Sequence, residues 1–211
     1  MAVVIIFLVS GCASKSKFVY EPPKGGLEND KGSMVAAVLY IVDQRTDAKK
    51  FDILYEGNPA EDIQTMLEYE LLRTDLFKAM IPVNYIAVKA DYIIEPTLNK
   101  LQWKVPDLDT IRLTTVILNC VSLISSSIYN LTNTEVYGES GIHLRVTEVP
   151  TGKIILDKNY SGVYKQDISK FKCNIPETKI MVAQRSVQNA IETIKSDITQ
   201  ILGNKGKDVM P

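Results

Sequence analysis

The side chains able to do chemistry in this sequence are few and widely spaced. Three cysteines, Cys12, Cys120 and Cys173, and one histidine, His143, make up its whole thiol and imidazole complement. A single histidine excludes a multi-histidine metal site, and the cysteines are too scattered for zinc. Neither a G-x-S-x-G nucleophile elbow nor a phosphate-binding P-loop is present. Asp107 and Asp109 sit in a loop with Pro106, where solvated charge is the ordinary condition. His143 alternates with Ile142 and Leu144 on the polar side of a strand pattern and reads as a surface residue. The expectation is a protein that is not an enzyme, with no metal and no cofactor.

One thiol stands apart. Eleven uncharged, mostly apolar residues, Met1 to Gly11, run into Cys12, and the composition then turns at once to Ala13-Ser14-Lys15-Ser16-Lys17. A permanent bilayer-crossing helix needs about 20 residues. The shorter run fits the apolar core of a secretory signal peptide over residues 1–11, with small residues at the cleavage point. Val9-Ser10-Gly11-Cys12 resembles the lipobox of bacterial lipoproteins. That resemblance implies cleavage before Cys12, a diacylglyceryl thioether on its sulfur, and acylation of the new N-terminus. With Cys12 assigned to lipid, Cys120 and Cys173 are either a disulfide pair in an oxidising compartment or two buried free thiols.

The elements that would carry such an anchor are legible in order. Residues 12–33 include Pro22-Pro23-Lys24-Gly25-Gly26, which forms neither helix nor central strand, and read as a flexible tether. The folded domain is expected over 34–203, with a polar tail at 204–211. Met34 to Val42 is a nearly continuous apolar run, the pattern of a strand buried on both faces. Asp43 and Arg45 behind it read as a surface turn, and Phe51 to Tyr55 as a short strand. Asn58-Pro59-Ala60-Glu61 opens a helix with a cap, a first-turn proline and a capping-box glutamate. Its apolar stripe is Ile63, Met66, Leu67 and Leu71, and it ends at Leu76-Phe77.

Ala79 to Val88 reads as an irregular strand broken by Pro82. Ala90 to Trp103 is a longer one, with Tyr92, Ile94 and Leu98 on one face and Leu101 and Trp103 on the other. That change of face predicts a bulge or bend near Asn99, and Pro96 suggests a sheet edge or the same bend. Glu135–Val149 and Lys153–Tyr164 form a hairpin about Pro150-Thr151-Gly152. Asn174-Ile175-Pro176-Glu177 opens the last helix, whose seam is Ile180, Val187, Ile191, Ile194, Ile198 and Ile201, and Gly203 is expected to stop it. The sum is an α+β domain: a mostly antiparallel sheet with helices near 59–74 and 177–202 packed on one face.

Balanced charge, 24 basic against 25 acidic side chains, indicates neither nucleic acid nor an acidic ligand as partner. The helix ending Leu71 to Phe77, the strand opening Ala90-Asp91-Tyr92-Ile93-Ile94-Glu95, and Asp43-Gln44-Arg45 together resemble small envelope lipoproteins of Gram-negative bacteria, the transport-auxiliary and YajG types. The resemblance spans residues 34–202 in its order of elements. It implies an α+β domain facing the periplasm and no enzymatic centre. It also implies the outer membrane, since Ala13 rather than aspartate follows the cysteine. The expected function is that of a lipid-anchored envelope accessory protein that docks on other envelope proteins. A carrier of an apolar or lipid ligand, and a subunit of an oligomeric outer-membrane pore or ring, are the alternatives; the oligomeric state is open.

Leu113 to Thr134 carries no charged side chain. Asn119 and several Ser and Thr dilute it as a membrane span. It exceeds what a connection inside a small domain needs, so it is read as an apolar insertion that is buried, partner-facing or dipped into a lipid interface. Val116, Val121, Leu123, Ile124 and Ile128 are its candidate interaction surface.

Overall fold

The structure is a computed structural model. It describes residues 15–20, 29–83, 89–104, 133–169 and 176–205. Among these the chain forms β1 (Met34–Leu39), β2 (Val42–Asp43), α1 (Ala48–Asp52), α2 (Pro59–Leu72), β3 (Phe77–Val83), β4 (Tyr92–Lys104), β5 (Asn133–Glu148), β6 (Lys153–Ser169) and α3 (Pro176–Lys205). The strands make one sheet in the order β3-β1-β4-β5-β6, with β2 also beside β4. The long pairings, β4 with β5 and β5 with β6, are antiparallel. Those of β1 with β3 and with β4, and of β2 with β4, are parallel. The domain is therefore α+β with a mixed sheet. Its parallel part arises because α1 and α2 intervene between β1 and β3, and a helical crossover returns the chain in the same direction.

Several local signals behave as their chemistry requires. The Asn58 side chain accepts the Ala60 amide and Pro59 opens α2. Ala36, Ala37 and Val38 are wholly buried, as a strand covered on both sides should be, but the run read to Val42 breaks after Leu39, and Tyr40 and Val42 are exposed. The hairpin turns at Gly152, whose φ of +66° suits glycine. Phe51, by contrast, lies in α1, and Tyr55 makes only an isolated bridge. The alternating look of Phe51 to Tyr55 comes from one aromatic pair turned inward from a helical turn.

Asn99 is the predicted bulge, with the β4–β5 register shifting between Leu98 and Lys100. Its effect is to hold the phase: Leu98, Leu101 and Trp103 are all buried in one core with Tyr92 and Ile94. One extra residue cancels the odd spacing, so Leu101 and Trp103 share the inner face. Pro96 is neither at an edge nor at the bulge. It pairs with Leu144 inside β4, opposite the gap where β1 has ended (Val38 against Ile94) and β2 has not begun (Val42 against Thr97). The missing N–H falls where no strand is present to accept it. In that gap the Ile41 amide donates to Gln64 Oε1 at 2.9 Å, and Gln64 Nε2 donates to Glu68 Oε1 at 2.7 Å. Burial raises the Glu68 carboxyl above its ordinary value of 4.5, partly opposed by the Gln64 hydrogen bond.

The helices bury the seams read above: Ile63, Met66, Leu67 and Leu71 on α2, and Ile180, Val187, Ile191, Ile194 and Ile198 on α3. The tightest approach is between α3 and the sheet. A Cβ at Gly138 would lie 2.1 Å from the Val182 carbonyl oxygen, and one at Gly162 would lie 1.8 Å from that of Ser186. Ala183, Ser186 and Ala190 supply the small side chains of the helix there, and all are buried. Farther along, α3 continues through Gly203 to Lys205. Nothing lies within 4 Å of a Cβ at Gly203, and its φ is not positive, so this glycine is an ordinary, weak helical residue rather than a stop.

Substitution at the two glycines tests this packing. Gly162→Ala should destabilise by about 2–3 kcal/mol or abolish folding, since backbone and not a flexible side chain must give way. Gly203→Ala should stabilise by about 0.5–1 kcal/mol; urea midpoints of the two variants check both. Glu68→Gln should raise the thermal midpoint at pH 7. A carboxyl whose folded pKa is raised destabilises the fold once pH passes its unfolded value. The gain should therefore shrink as pH falls toward about 4.

Candidate functional site

Cys12, Cys120 and Cys173 lie outside the described residues, as do Val116, Val121, Leu123, Ile124 and Ile128. His143 lies on the open face of the sheet, as the alternation predicts, with Nε2 2.7 Å from Asp157 Oδ1. That contact, with Arg145 Nε at 3.2 Å from the other oxygen, holds the Asp157 carboxyl below its usual range. Among the described residues no group of three His, Cys, Asp or Glu side chains could hold a metal ion. No helix among them is long and apolar enough to cross a membrane.

The arrangement most suited to a function begins three residues after Cys12. Part of the stretch expected as a tether, residues 15–20, lies as a strap against the body. The Ser16 amide donates to the Leu54 carbonyl at 2.9 Å, and Ser16 in turn accepts the Glu56 amide at 2.8 Å. Phe18 is buried, its ring centroid 4.9 Å from Tyr55 and 6.3 Å from Phe51. Phe51 reaches Trp103 at 5.3 Å, so the strap and the end of β4 share one aromatic cluster. The Phe18 amide donates to the Tyr55 hydroxyl at 3.1 Å, which donates to Asp62 at 2.5 Å. Burial first, and then that carboxylate, push the Tyr55 phenol far above its ordinary value, so it remains a donor at any physiological pH. Farther on, the Gln184 amide grips Val19 twice, accepting its N–H at 2.9 Å and donating to its carbonyl at 2.6 Å. The clamp copies one residue of strand pairing. A cleft of about 460 Å³ opens between the strap and the first turns of α3, lined by Lys17, Val19, Met181, Gln184, Arg185 and Gln188.

Phe18-Val19-Tyr20 is the signal that sequence reasoning passed over. Three large apolar residues in a polar stretch are the minimum that a strap needs to hold on to a core.

Beside the same cluster, Asp43 and Arg45 form the expected turn, but the guanidinium points inward. The Arg45 side chain is only 3% exposed. Its Nη2 lies 2.7 Å from Asp43 Oδ2 and 3.1 Å from Asp52 Oδ1, while Nε bonds Asp43 Oδ1 at 2.9 Å. The group stands 5.7 Å from the Phe51 ring centroid. The Arg45 hydrogen bond holds the Asp43 carboxyl below its ordinary value of 3.8. Two hollows flank this corner. One of about 280 Å³ is polar, with Arg45, Asp47, Asn99 and Lys100. The other, of about 120 Å³, includes Phe51, Leu101 and Trp103.

No protein-family model and no curated protein matches the chain. Solved structures do. A candidate neuraminyllactose-binding hemagglutinin homolog from Helicobacter pylori is similar over 91% of this chain and 100% of its own, with TM-score 0.50 and 11% identity. A DUF330 protein from Xanthomonas campestris covers 93% of this chain and 100% of its own, with TM-score 0.48 and 8% identity. A minor lipoprotein from Acinetobacter baumannii covers 81% and 94%, with TM-score 0.39 and 10% identity. At such identities the likeness to the Helicobacter protein is one of fold.

Asp43→Asn should cost about 2 kcal/mol at pH 7, because a buried guanidinium loses its better partner. Asp43 has a depressed folded pKa, so its contribution is complete above its unfolded value and is lost as pH falls through the folded one. The difference in urea midpoint between variant and parent should therefore close below about pH 4.

Proposed function

We propose that this chain is a lipid-anchored envelope accessory protein, acylated on Cys12 and held at the outer membrane, that docks on other envelope proteins. The observation that carries the reading is the pairing of Val9-Ser10-Gly11-Cys12 with a strap that is bonded into the body from Ser16 onward. A chain end of no importance would not be buried through Phe18 and clamped by Gln184. The uncharged stretch 113–134 follows β4 in the sequence and runs into β5, which begins at Asn133, and it is the proposed docking surface, through Val116, Val121, Leu123, Ile124 and Ile128. At Gly138 and Gly162 backbone meets backbone, so no ligand space lies between α3 and the sheet at those two points.

The test is Cys12→Ser. The variant should accumulate as an uncleaved precursor or leave the membrane fraction, because the acyl chains supply the membrane affinity. Intact mass should show the lipid increment on the parent alone. A variant that is processed and fractionates like the parent would overturn the reading.

A further inference from the structure

We propose that the end of the domain carrying Ser16, Ile53 and Trp103 rests on the surface of the lipid bilayer, with the Ile53 side chain in the headgroup region. The proposal rests on the reading of Cys12 as acylated and adds to it the face that meets the membrane.

Chain length makes the first argument. Only Ala13, Ser14 and Lys15 separate Cys12 from Ser16. Ser16 is held from both sides, by the Leu54 carbonyl and the Glu56 amide. Four Cα steps span at most about 15 Å, so an anchored Cys12 keeps Ser16 within that distance of the bilayer surface, and residues 54 and 56 about 5 Å farther at most. A freely jointed tether over the whole stretch to residue 33 would allow any orientation. The strap does not.

The second argument is what this end exposes. Ile53 follows α1, its amide bonded to the Lys49 carbonyl at 3.2 Å, and it is 69% exposed. Val19, three residues beyond Ser16, is 79% exposed, while its backbone groups are taken by Gln184. These large apolar side chains have no use in the core and sit beside the fixed point of the anchor. The hairpin at the opposite end of the sheet also exposes Val149, at 37%, and Ile154, at 47%, so distance from the anchor is what separates the two. Trp103 pairs with Gly138 and Tyr92 with Glu148, so the level of Trp103 and the hairpin are ten strand residues apart on β5, which itself runs on from Gly138 to Asn133. The ten residues span about 33 Å, which places the hairpin out of reach of a surface touching Ser16.

The acylated full-length chain is placed in phosphatidylethanolamine–phosphatidylglycerol vesicles doped with brominated phosphatidylcholine, which quenches tryptophan on contact. The parent, whose single tryptophan is Trp103, is compared with Ile53→Trp, Val19→Trp and Val149→Trp. The emission added at 53 or 19 should fall by about twofold, and that added at 149 should hardly change. Equal quenching at all three positions, or quenching at 149 alone, overturns the orientation. Both near-end positions are exposed, so a fold failure at one leaves the other to decide. Intact mass is read first. A chain without lipid removes the functional reading and this one together, whereas an acylated chain unquenched at 53 and 19 removes only this one.

Discussion

The backbone contact between α3 and the sheet at Gly138 and Gly162 is the constraint on which the rest of the structure depends. A helix usually stands off a sheet by the depth of two side-chain layers. Here any side chain on the two glycines would collide with helix carbonyls, so α3 is drawn down onto β5 and β6. Ala183, Ser186 and Ala190 face the contact because only small residues fit. Drawing the helix down also fixes its height at the neighbouring turn. Gln184 then has both Val19 backbone groups within hydrogen-bond reach. The strap position is in this sense a product of glycines more than 100 residues away in the chain.

The second organising feature is the aromatic cluster. Phe18, Phe51, Tyr55 and Trp103 come from the strap, from α1, from the segment after it and from β4. Apart from β4, none of these pieces has a long apolar face of its own. Each contributes one ring, and the pooled apolar area repays the ordering of short segments that could not fold alone. Arg45 closes the cluster from the side, satisfied in part by Asp43 and Asp52 and leaving Nη1 without a partner among the described residues.

These two features mark the boundary of what could be read in the residues alone. Both long helices, the β5–β6 hairpin and the Asn99 bulge each announce themselves locally, by a stripe, a turn or a break in alternation. The parallel pairing of β1 with β3 is not local. A two-residue period reports which face is buried and is silent on the neighbour and its direction. Phe51 to Tyr55 was misread as a strand because two inward aromatics four residues apart satisfy helix and strand equally. Pro96 was assigned to an edge or a bend, since no local rule anticipates a gap between two strands that share one side of β4. At the candidate site, the reading of Cys12 rests on its sequence setting alone. The strap was not legible, because the worth of Phe18 depends on rings brought from residues 51, 55 and 103.

The strap also determines how mechanical load would enter the domain. A pull on the N-terminal end reaches Ser16 first, where one hydrogen bond runs to Leu54 and one comes from Glu56. Behind them stand the Phe18 plug and the Gln184 clamp, and Gln184 belongs to a 30-residue helix seated on the sheet. Tension is thus shared across several bonds and carried into the stiffest element, instead of peeling one strand from an edge. The bonded strap is a strain relief for whatever holds the N-terminus, and the first part to yield would be the six-residue strap rather than the core.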